Sequence, residues 1–366
     1  MYVGIATCAM KTPVALMRQR RRGGIHPTRL AWDVQRAVAM RCLITGGAGF
    51  IGSHLVEHLV GAGHDVVVLD DLSTGRRENF AAVRRRISFM RGSVADLSTC
   101  RRAMDGVEYV LHHAAVTSVQ SAAADPMAAH AVNATGTLNV LIAARDARVR
   151  RVVYGGSTSA YGNATMLPNR EDHAALPLGP YAGAKLAGEA YCLAFYATYG
   201  LETVVLRYFN VFGPRQDPKS QYAAVVPRFI AAAIAGEPPT IYGDGTQTRD
   251  FVYVANVVEA NLLALRAPAA RVAGQVFNVG SGKSVSVNDL WDRVRSVTGV
   301  PVLPKHEPAR PGEVKGSLAS IAKARDLVGY QPTVDFDEGL RRTIAFYREA
   351  RKARRHRRPR AVERAA

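Results

Sequence analysis

The stretch MRCLITGGAGFIGSHLVEHLVGAGHDVVVLD, residues 40–70, decides the fold. Its apolar run at 41–46 is typical of a buried strand, and residues 50–63 then space their apolar side chains as a helix does. A second apolar run follows at 65–70. A strand, a glycine-rich turn, a helix and a second strand in one short segment predict a βαβ unit with parallel strands.

Three glycines occupy the turn of this unit at regular spacing, Gly46, Gly49 and Gly52. Glycines there permit a tight turn, let backbone N–H groups approach a pyrophosphate and allow close packing of helix on strand. Asp70 ends the next strand 18 residues beyond Gly52, where a carboxylate can accept the ribose hydroxyls of adenosine. No arginine lies in residues 69–75 to favour a 2′-phosphate. We therefore predict an NAD site; the alternative is an ordinary glycine turn beside a strand-end aspartate.

The rest of the chain continues the alternation of strands and helices. Further strands are predicted at 87–94, 107–115, 149–157 and 202–213, and helices at 133–147 and from residue 180. The pattern predicts an α/β fold with a Rossmann-type doubly wound parallel sheet at 40–213, covered by helices on both faces. Short segments rich in glycine and proline then predict that 214–347 form mainly a smaller C-terminal α/β substrate lobe.

The net charge of +18 is concentrated at the ends of the chain. Residues 1–39 carry +6 and residues 348–366 carry +7, which leaves an ordinary charge on the body between them. We therefore expect no specific nucleic-acid partner, and we predict that 1–39 is a disordered extension and 348–366 a disordered tail. Met40 is the expected natural start, although an arginine-rich targeting peptide is an alternative for 1–39.

The composition also excludes several classes of protein. No apolar run approaches the ~18 residues of a membrane span. The four cysteines lie far apart, without a CxxC or a His/Cys cluster, so neither a disulfide framework nor a metal site is expected. A reducing, cytoplasmic location fits this pattern.

Residues 180–191, PYAGAKLAGEAY, place Tyr181 and Lys185 four positions apart on one face of the predicted helix. A tyrosine with its ordinary pKa of about 10 is a poor base at neutral pH. A neighbouring ammonium is expected to lower that pKa and make Tyr181 a general base. Three hydroxyl groups just beyond a strand end, Ser157, Thr158 and Ser159, are candidates for a proton relay. On an unrelated helix the same pair would be an ordinary surface pair.

With these motifs, residues 40–347 resemble an extended short-chain dehydrogenase/reductase, most closely a UDP-hexose 4-epimerase of the group that acts on UDP-N-acetylhexosamines. Tyr181 and Lys185 match the Y-x-x-x-K motif of that family, and Ser157 best matches its catalytic Ser/Thr. The resemblance implies that NAD is the cofactor, that Asp96 meets the adenine and that Asn133 braces the segment 113–117. Besides the Tyr/Lys pair, the residues it implies around NAD are Gly46, Gly49, Phe50, Ile51, Gly52, Asp70, Asp71, Leu72, Ser73, Thr74, Gly75, Asp96, Leu97, His113, Ala114, Ala115, Thr117, Asn133, Tyr208 and Phe209.

The resemblance also implies a substrate side. Two arginines there, Arg249 and Arg310, can chelate a UDP pyrophosphate. Ser317 occupies a position where the family carries a bulky tyrosine when it accepts only UDP-glucose and UDP-galactose, so a small residue should admit an N-acetyl group. The implied substrate residues are Ser118, Ser157, Tyr181, Asn210, Ala224, Val225, Thr240, Ile241, Tyr242, Arg249, Arg310, Glu313 and Ser317.

The reaction implied is 4-epimerisation of a UDP-hexose by transient oxidation at carbon 4. Related dehydratases carry an Asp-Glu pair after the catalytic Thr and decarboxylases usually a Glu in the same turn, whereas residues 157–162, STSAYG, hold no carboxylate. UDP-glucuronate epimerisation or decarboxylation, another sugar dehydratase or reductase, and a non-catalytic NAD-binding sensor stay open as alternatives. The resemblance further implies a homodimer that forms through helices including 181–199.

Overall fold

The computed structural model describes residues 39–163, 166–218, 224–309 and 314–357. The predicted extension at 1–39, apart from Ala39, and the end of the chain beyond residue 357 lie outside this range. Within the described residues, no helix is long and apolar enough to cross a membrane. In the same part of the chain, no group of three or more His, Cys, Asp or Glu side chains is placed to hold a metal ion.

A seven-stranded parallel sheet forms the centre of the described chain. Its strands are β1 (Arg41–Thr45), β2 (Asp65–Asp70), β3 (Ile87–Arg91), β4 (Tyr109–His112), β5 (Arg151–Ser157), β6 (Glu202–Tyr208) and β11 (Gln275–Val279). They lie in the order β11-β6-β5-β4-β1-β2-β3, so the chain starts in the middle of the sheet and winds outward in both directions. The predicted Rossmann-type doubly wound fold is confirmed.

Helices cover both faces of this sheet. The helices of the described chain, including those of the smaller unit, are α1 (Phe50–Gly61), α2 (Leu97–Ala103), α3 (Val119–Ala124), α4 (Pro126–His130), α5 (Gly136–Asp146), α6 (Pro180–Tyr199), α7 (Val225–Ala235), α8 (Val254–Arg266), α9 (Ala269–Val272), α10 (Val287–Thr298), α11 (Ala322–Val328) and α12 (Phe336–Arg357). Short 3₁₀ segments lie at Arg77–Arg86 and Thr158–Tyr161, and a π-helical turn at Ala131–Thr135 leads into α5.

Successive strand residues pack into two different cores, because side chains alternate between the faces of a sheet. Cys42 and Ile44 of β1 join the core formed with α1 and α8. Leu43, between them, joins the core formed with α2, α5 and α6. A strand buried on both faces reads as a continuous apolar run, which is why 41–46 stands out in the sequence.

The second half of the chain is divided between the sheet and a smaller unit. Small two-stranded sheets join β7 (Asn210–Phe212) to β10 (Phe251–Tyr253), β9 (Thr248–Arg249) to β12 (Val285–Ser286) and β8 (Thr240–Tyr242) to β13 (Lys305–Glu307). They pack with α7, α10 and α12 around a core that includes Phe229 and Trp291. However, α8 and β11 belong with the main sheet. The substrate lobe therefore does not take up the whole of 214–347.

The predicted strand at 202–213 is two strands in the structure, β6 and β7. Between them, Phe209 donates its backbone N–H to the Val279 carbonyl oxygen (3.0 Å), the last such bond to β11. Asn210 donates instead to the Asp250 carbonyl oxygen (3.0 Å), so the chain changes partner from β11 to β10. The break depends on two distant segments, which is why local sequence does not reveal it.

The predicted disordered tail is wrong for residues 348–357, which continue helix α12. Arg348 donates from Nη2 to the Thr298 carbonyl oxygen (3.1 Å), and Arg351 donates from Nη1 to the Ile234 carbonyl oxygen. These carbonyls lie in the last turns of α10 and α7. A guanidinium there satisfies an unpaired carbonyl and opposes the negative end of the helix dipole.

Candidate active site

The glycine turn between β1 and α1 leaves no room for side chains. A Cβ on Gly52 would lie 2.2 Å from the Gly46 carbonyl oxygen, and one on Gly46 would lie 2.6 Å from the Ala114 nitrogen. Gly46 also has φ of +69°, which strongly favours glycine. Helix α1 begins at Phe50 without a side-chain cap or an acidic residue in its first turn. Its N-terminus, near Gly49 and Ile51, is thus suited to an anion such as a pyrophosphate.

Asp70 lies at the carboxyl end of β2 and joins two turns. Its carboxylate accepts hydrogen bonds from the backbone N–H of Ala48 in the glycine turn (2.9 Å) and of Leu72 (2.8 Å). Burial raises the pKa of Asp70 above its usual value. A Cβ on Gly75 would lie 2.7 Å from Asp70 Oδ1, so the turn at 71–75 wraps closely around the carboxylate.

The remaining residues of that turn are partly exposed. Asp71 accepts hydrogen bonds from the Ser73 nitrogen (2.8 Å) and hydroxyl (2.6 Å). Thr74 is exposed beside them, and Leu72 has φ of +63°. Residues 71–75 therefore line the side of Asp70 at which the resemblance implies the adenosine.

Asp96 and Asn133 each stabilise a loop through hydrogen bonds. Asp96 caps α2, just before Leu97, by accepting from the Ser98 nitrogen (2.9 Å) and the Thr99 hydroxyl (2.5 Å), and the bond from Thr99 lowers the pKa of Asp96 most. Asn133, buried in the π-helical turn, holds the backbone of Val116 from both sides, accepting from its N–H (2.8 Å) and donating to its carbonyl oxygen (2.9 Å). Asn133 thus braces the segment 113–117.

His113 begins this braced segment and contacts the end of β6. Its Nε2 lies 2.9 Å from the Tyr208 hydroxyl, which also bonds to Asn261 of α8. Burial lowers the pKa of His113 to about 4, so the ring is neutral. Its Nδ1 is buried and, among the described residues, has no hydrogen-bond partner. Asn261 is absent from the predicted site because no spacing in the sequence links it to His113.

Ala114, Ala115 and Thr117 follow along the same segment, and Thr117 is exposed. Ser118 caps α3, where its side chain accepts from the Ser121 nitrogen (2.9 Å). Phe209, the residue after Tyr208, is 2% exposed and packs beside Tyr161 (6.4 Å between ring centroids).

The predicted hydroxyl relay and tyrosine come together at the carboxyl end of β5. The side chain of Ser157 lies close enough to that of Tyr181 to favour its phenolate and to act against the rise of its pKa. The Ser159 hydroxyl donates to Ser157 Oγ at 2.9 Å, while Thr158 is partly exposed in the 3₁₀ turn. Among the three adjacent hydroxyls, Ser157 is the one that contacts both Tyr181 and Ser159.

The expected lowering of the pKa of Tyr181 does not occur in this structure. Burial raises the pKa of Tyr181 above its usual value, because it penalises the phenolate more than Ser157 favours it. Lys185 is itself buried, which lowers its pKa to about 7. Its Nζ lies over the ring of Tyr154, 4.2 Å from the centroid. The sequence motif therefore missed Tyr154 as a direct contact of the lysine.

The predicted substrate residues lie in several segments of the smaller unit. Asn210 is exposed on β7, and Ala224–Val225 lie at the start of α7. Thr240, Ile241 and Tyr242 form β8. Arg310 and Glu313 lie outside the described residues, so the predicted pairing of Arg249 with Arg310 stays a prediction.

Arg249 and Ser317 meet at one backbone pairing. The Ser317 nitrogen donates to the Thr248 carbonyl oxygen (3.1 Å), directly before Arg249 on β9. Ser317 is 6% exposed, and its Oγ is buried without a hydrogen-bond partner among the described residues. A buried hydroxyl without a hydrogen-bond partner costs free energy. The Ser317 hydroxyl, beside β9, is therefore suited to bind a polar group of a ligand.

Asp250, next to Arg249, is a second residue that the motifs missed. It is fully buried, and its carboxylate accepts from the Ser281 nitrogen and hydroxyl (both 2.7 Å), the Gly282 nitrogen (3.0 Å) and the Ala319 nitrogen (3.0 Å). The bonds join three segments around Arg249 and Ser317. The signal available in the sequence was a charged residue, Asp250, directly before the apolar run 251–254.

The chain matches known proteins along most of its length. The profile of the NAD dependent epimerase/dehydratase family matches residues 42–280. The chain is 40% identical over 313 residues to the UDP-glucose 4-epimerase of Mycolicibacterium smegmatis, covering 84% of this chain and 99% of that protein. It is 33% identical over 321 residues to the UDP-N-acetyl-alpha-D-glucosaminuronate decarboxylase of Bacillus cytotoxicus, covering 84% and 98%.

A solved structure shows the same likeness. The UDP-N-acetylglucosamine 4-epimerase of Methanobrevibacter ruminantium, in complex with UDP-N-acetylmuramic acid, aligns with a TM-score of 0.81 and 37% identity, covering 85% of this chain and 99% of that one. These matches confirm the resemblance, the predicted cofactor NAD and the prediction of an enzyme of the epimerase type. The chain belongs to the NAD dependent epimerase/dehydratase family.

Proposed function

We propose that this protein is a UDP-hexose 4-epimerase that acts on UDP-N-acetylglucosamine and UDP-glucose. The observation that carries the proposal is the contact of Tyr181 with Ser157 at the carboxyl end of β5, on the side of the sheet where ligands bind in such folds. The turn that follows, Thr158–Tyr161, holds no carboxylate that could eliminate water or assist decarboxylation.

The residues around the glycine turn fit NAD. The absence of room for a Cβ at Gly46 and Gly52 leaves backbone N–H groups accessible to a pyrophosphate. Asp70, held by two backbone N–H groups, keeps the second lone pairs of its oxygens for ribose hydroxyls. When bound, NAD supplies an acceptor for the hydride from sugar carbon 4 and returns that hydride.

Tyr181 and Ser157 move the proton in this scheme. Tyr181, as the phenolate, would take the proton of the sugar 4-hydroxyl through Ser157 as carbon 4 is oxidised to a ketone. After the sugar has turned over, Tyr181 would give the proton back through Ser157 as carbon 4 is reduced on its opposite face. Lys185 lies on the same face of helix α6 as Tyr181, where its ammonium would oppose the cost of forming the phenolate.

The nucleotide must stay bound while the sugar turns. Arg249 and Arg310 are the proposed anchors of the diphosphate, and Asn210, Ala224–Val225 and Thr240–Tyr242 the proposed walls of the UDP site. Arg249 is held at the junction organised by Asp250. Binding of the remote diphosphate thus supplies the energy that confines the freed 4-keto sugar.

The size of Ser317 supports the choice of sugar. Its side chain is small, and its hydroxyl is buried without a partner among the described residues. A 2-acetamido group offers both space-filling bulk and polar atoms for such a hydroxyl. We therefore propose that the N-acetylated sugar is accepted together with UDP-glucose.

The function is tested with purified protein and three substrates in separate reactions: UDP-GlcNAc, UDP-glucose and UDP-glucuronate. Products are resolved as C4 epimers, and released CO₂ is measured in the glucuronate reaction. We expect epimers from the first two sugars without net consumption of NAD. CO₂ release without epimers would replace the proposal by the decarboxylase reaction of the Bacillus cytotoxicus relative, and no turnover of any sugar with NAD present would refute an epimerase.

We also propose that the protein is a homodimer in a reducing cytoplasm. Helix α6 exposes the aromatic rings of Tyr191 and Tyr199, by 39% and 52%, which favours a protein contact through this helix. The described cysteines, Cys42, Cys100 and Cys192, are buried and free. Light scattering should give twice the chain mass, and Tyr191→Glu should shift it toward the monomer.

A further inference from the structure

Lys185 is a buried cation that contacts one aromatic side chain at both of its ends. Its Nζ lies 4.2 Å from the centroid of the Tyr154 ring. The Tyr154 hydroxyl donates to the Lys185 carbonyl oxygen at 3.0 Å. Tyr154 is fully buried in strand β5, and Lys185 is 6% exposed in helix α6.

We propose that Tyr154 is a positioning residue for the epimerase reaction: its ring holds the Lys185 ammonium in place and in the charged form on the helix face that also carries Tyr181. The proposal rests on the proposed function for its catalytic consequence. The contact between ring and ammonium is independent of that function.

The packing keeps the ring in one position. Helix α6 approaches it so closely that a Cβ on Gly188 would lie 2.5 Å from the Tyr154 hydroxyl oxygen. On the adjacent strand β4, the ring of His112 lies 5.6 Å away between centroids. Because the ring cannot turn aside, its face stays directed at Nζ.

The ring offsets part of the cost of burying a positive charge. A cation over an aromatic face is attracted by the negative charge of the π system, and the attraction strengthens where water is excluded. Burial acts in the opposite direction and lowers the pKa of Lys185 to about 7. Loss of the attraction between the ring and the ammonium should therefore lower the pKa of Lys185 further.

The histidine and tyrosine side chains near Lys185 carry no charge that would favour its ammonium. On β4 and after it, burial lowers the pKa of both His112 and His113, so these rings are neutral and carry no charge toward the lysine. Tyr181, on the same helix face, has a raised pKa because it is buried, so it is a neutral phenol in this structure.

Two further groups lie on the helix of Lys185. Burial raises the pKa of the Cys192 thiol, so it is neutral. The Glu189 carboxylate favours the ammonium, but it already forms a buried ion pair with Arg207, with its Oε2 3.0 Å from Arg207 Nε. The Tyr154 ring adds a direct contact with Nζ to the effect of these groups on Lys185.

The test replaces Tyr154 in the NAD-loaded enzyme by rings of equal size and different charge distribution. Tyr154→Phe keeps the ring and removes the hydroxyl. Tyr154→pentafluorophenylalanine keeps the shape and reverses the charge on the ring face. The titration of Lys185 is followed by NMR of ¹³Cε-labelled lysine, which is practicable because the chain has eight lysines; Lys185→Arg assigns its signal.

We expect Tyr154→Phe to keep the titration midpoint of Lys185 and the fluorinated ring to lower it by roughly one pH unit. The basic limb of the kcat profile should move by the same amount in the same direction. Thermal unfolding of the two variants serves as the control for folding, since they differ only in fluorine.

A midpoint that is equal in the phenylalanine and pentafluorophenylalanine variants would overturn the proposal, because a merely structural ring would behave in this way. The NMR titration needs no turnover. Failure of the proposed epimerase function therefore shows in the product assay, while failure of this inference shows in the titration.

Discussion

At the scale of single residues, Tyr181 carries the proposed chemistry and can be tested alone. Tyr181→Phe removes the group that takes the proton and leaves the ring in its place. We expect kcat to fall by roughly 10²–10⁴-fold, the range for removal of a general acid–base group. The measurement is epimerisation of UDP-GlcNAc at saturating substrate. NAD content, read from absorbance after denaturation, should be unchanged; full activity of the variant would contradict the mechanism.

Ser317 is the second residue that can be tested by itself. Ser317→Tyr fills the space beside β9, so we expect loss of activity on UDP-GlcNAc of more than about tenfold with retained activity on UDP-glucose. Ser317→Ala is the matched control, because it keeps the space and removes the hydroxyl without a partner. The ratio of kcat/KM for the two sugars is the measurement. Equal losses on both sugars after Ser317→Tyr would show that the residue does not select the 2-substituent.

At the scale of elements, the contact between β1 and α1 depends on Gly52. A Cβ on Gly52 would lie 2.2 Å from the Gly46 carbonyl oxygen, so Gly52→Ala must move the helix away from the turn. We expect a loss of about 1–3 kcal/mol in the free energy of unfolding, as for other overpacked sites, and purification of the protein without NAD. Urea unfolding and NAD content measure the two effects.

Gly61→Ala is the matched control, because it lies at the other end of the same helix and a Cβ there has nothing within 4 Å. It should stabilise the protein by up to about 1 kcal/mol, since alanine favours the helix. NAD content should stay as in the wild type. An equal loss of NAD in both variants would mean that NAD binding does not depend on the close packing of the glycine turn against α1.

At the scale of the whole molecule, Asp250 joins segments that lie far apart in the chain. In Asp250→Asn, one acceptor oxygen becomes an NH₂ group that faces the donor N–H groups of Gly282 and Ala319. We expect a loss of roughly 2–4 kcal/mol in the free energy of unfolding, since two buried donors lose their acceptor. The KM for the UDP-sugar should rise, because Arg249 is the residue directly before Asp250 and should shift with it.

The control for this substitution is Asp244→Asn. Asp244 accepts from the Thr246 nitrogen (2.9 Å) and hydroxyl (2.8 Å) within an exposed turn. Its replacement in this exposed turn should leave both the free energy of unfolding and KM nearly unchanged. If Asp250→Asn changed the free energy of unfolding and KM as little as Asp244→Asn does, the Asp250 carboxylate would not organise the segments around Arg249 and Ser317.

Much of the fold and the arrangement of the candidate cofactor site were predictable from the sequence. Strands buried on both faces and the glycine turn leave local patterns, so β1, α1, β2 and the place of Asp70 could be read within one stretch of 31 residues, 40–70. Helix α6 and the proximity of Tyr181 to the hydroxyl turn followed from a short motif. The break between β6 and β7 was missed, because its cause lies in hydrogen bonds to Val279 and Asp250.

The sequence by itself determined the doubly wound sheet, the glycine turn and the helix that carries Tyr181 and Lys185, because each depends on side-chain periodicity or on glycine over a few neighbouring residues. Only the tertiary structure decided that β11 joins the main sheet, that residues 348–357 are helical and that Asp250 binds two distant loops, at 281–282 and at 319. It also decided that Lys185 faces Tyr154. These features arise from partners brought together by folding, and a partner 31 residues away in the chain leaves no periodic trace beside the residue it contacts.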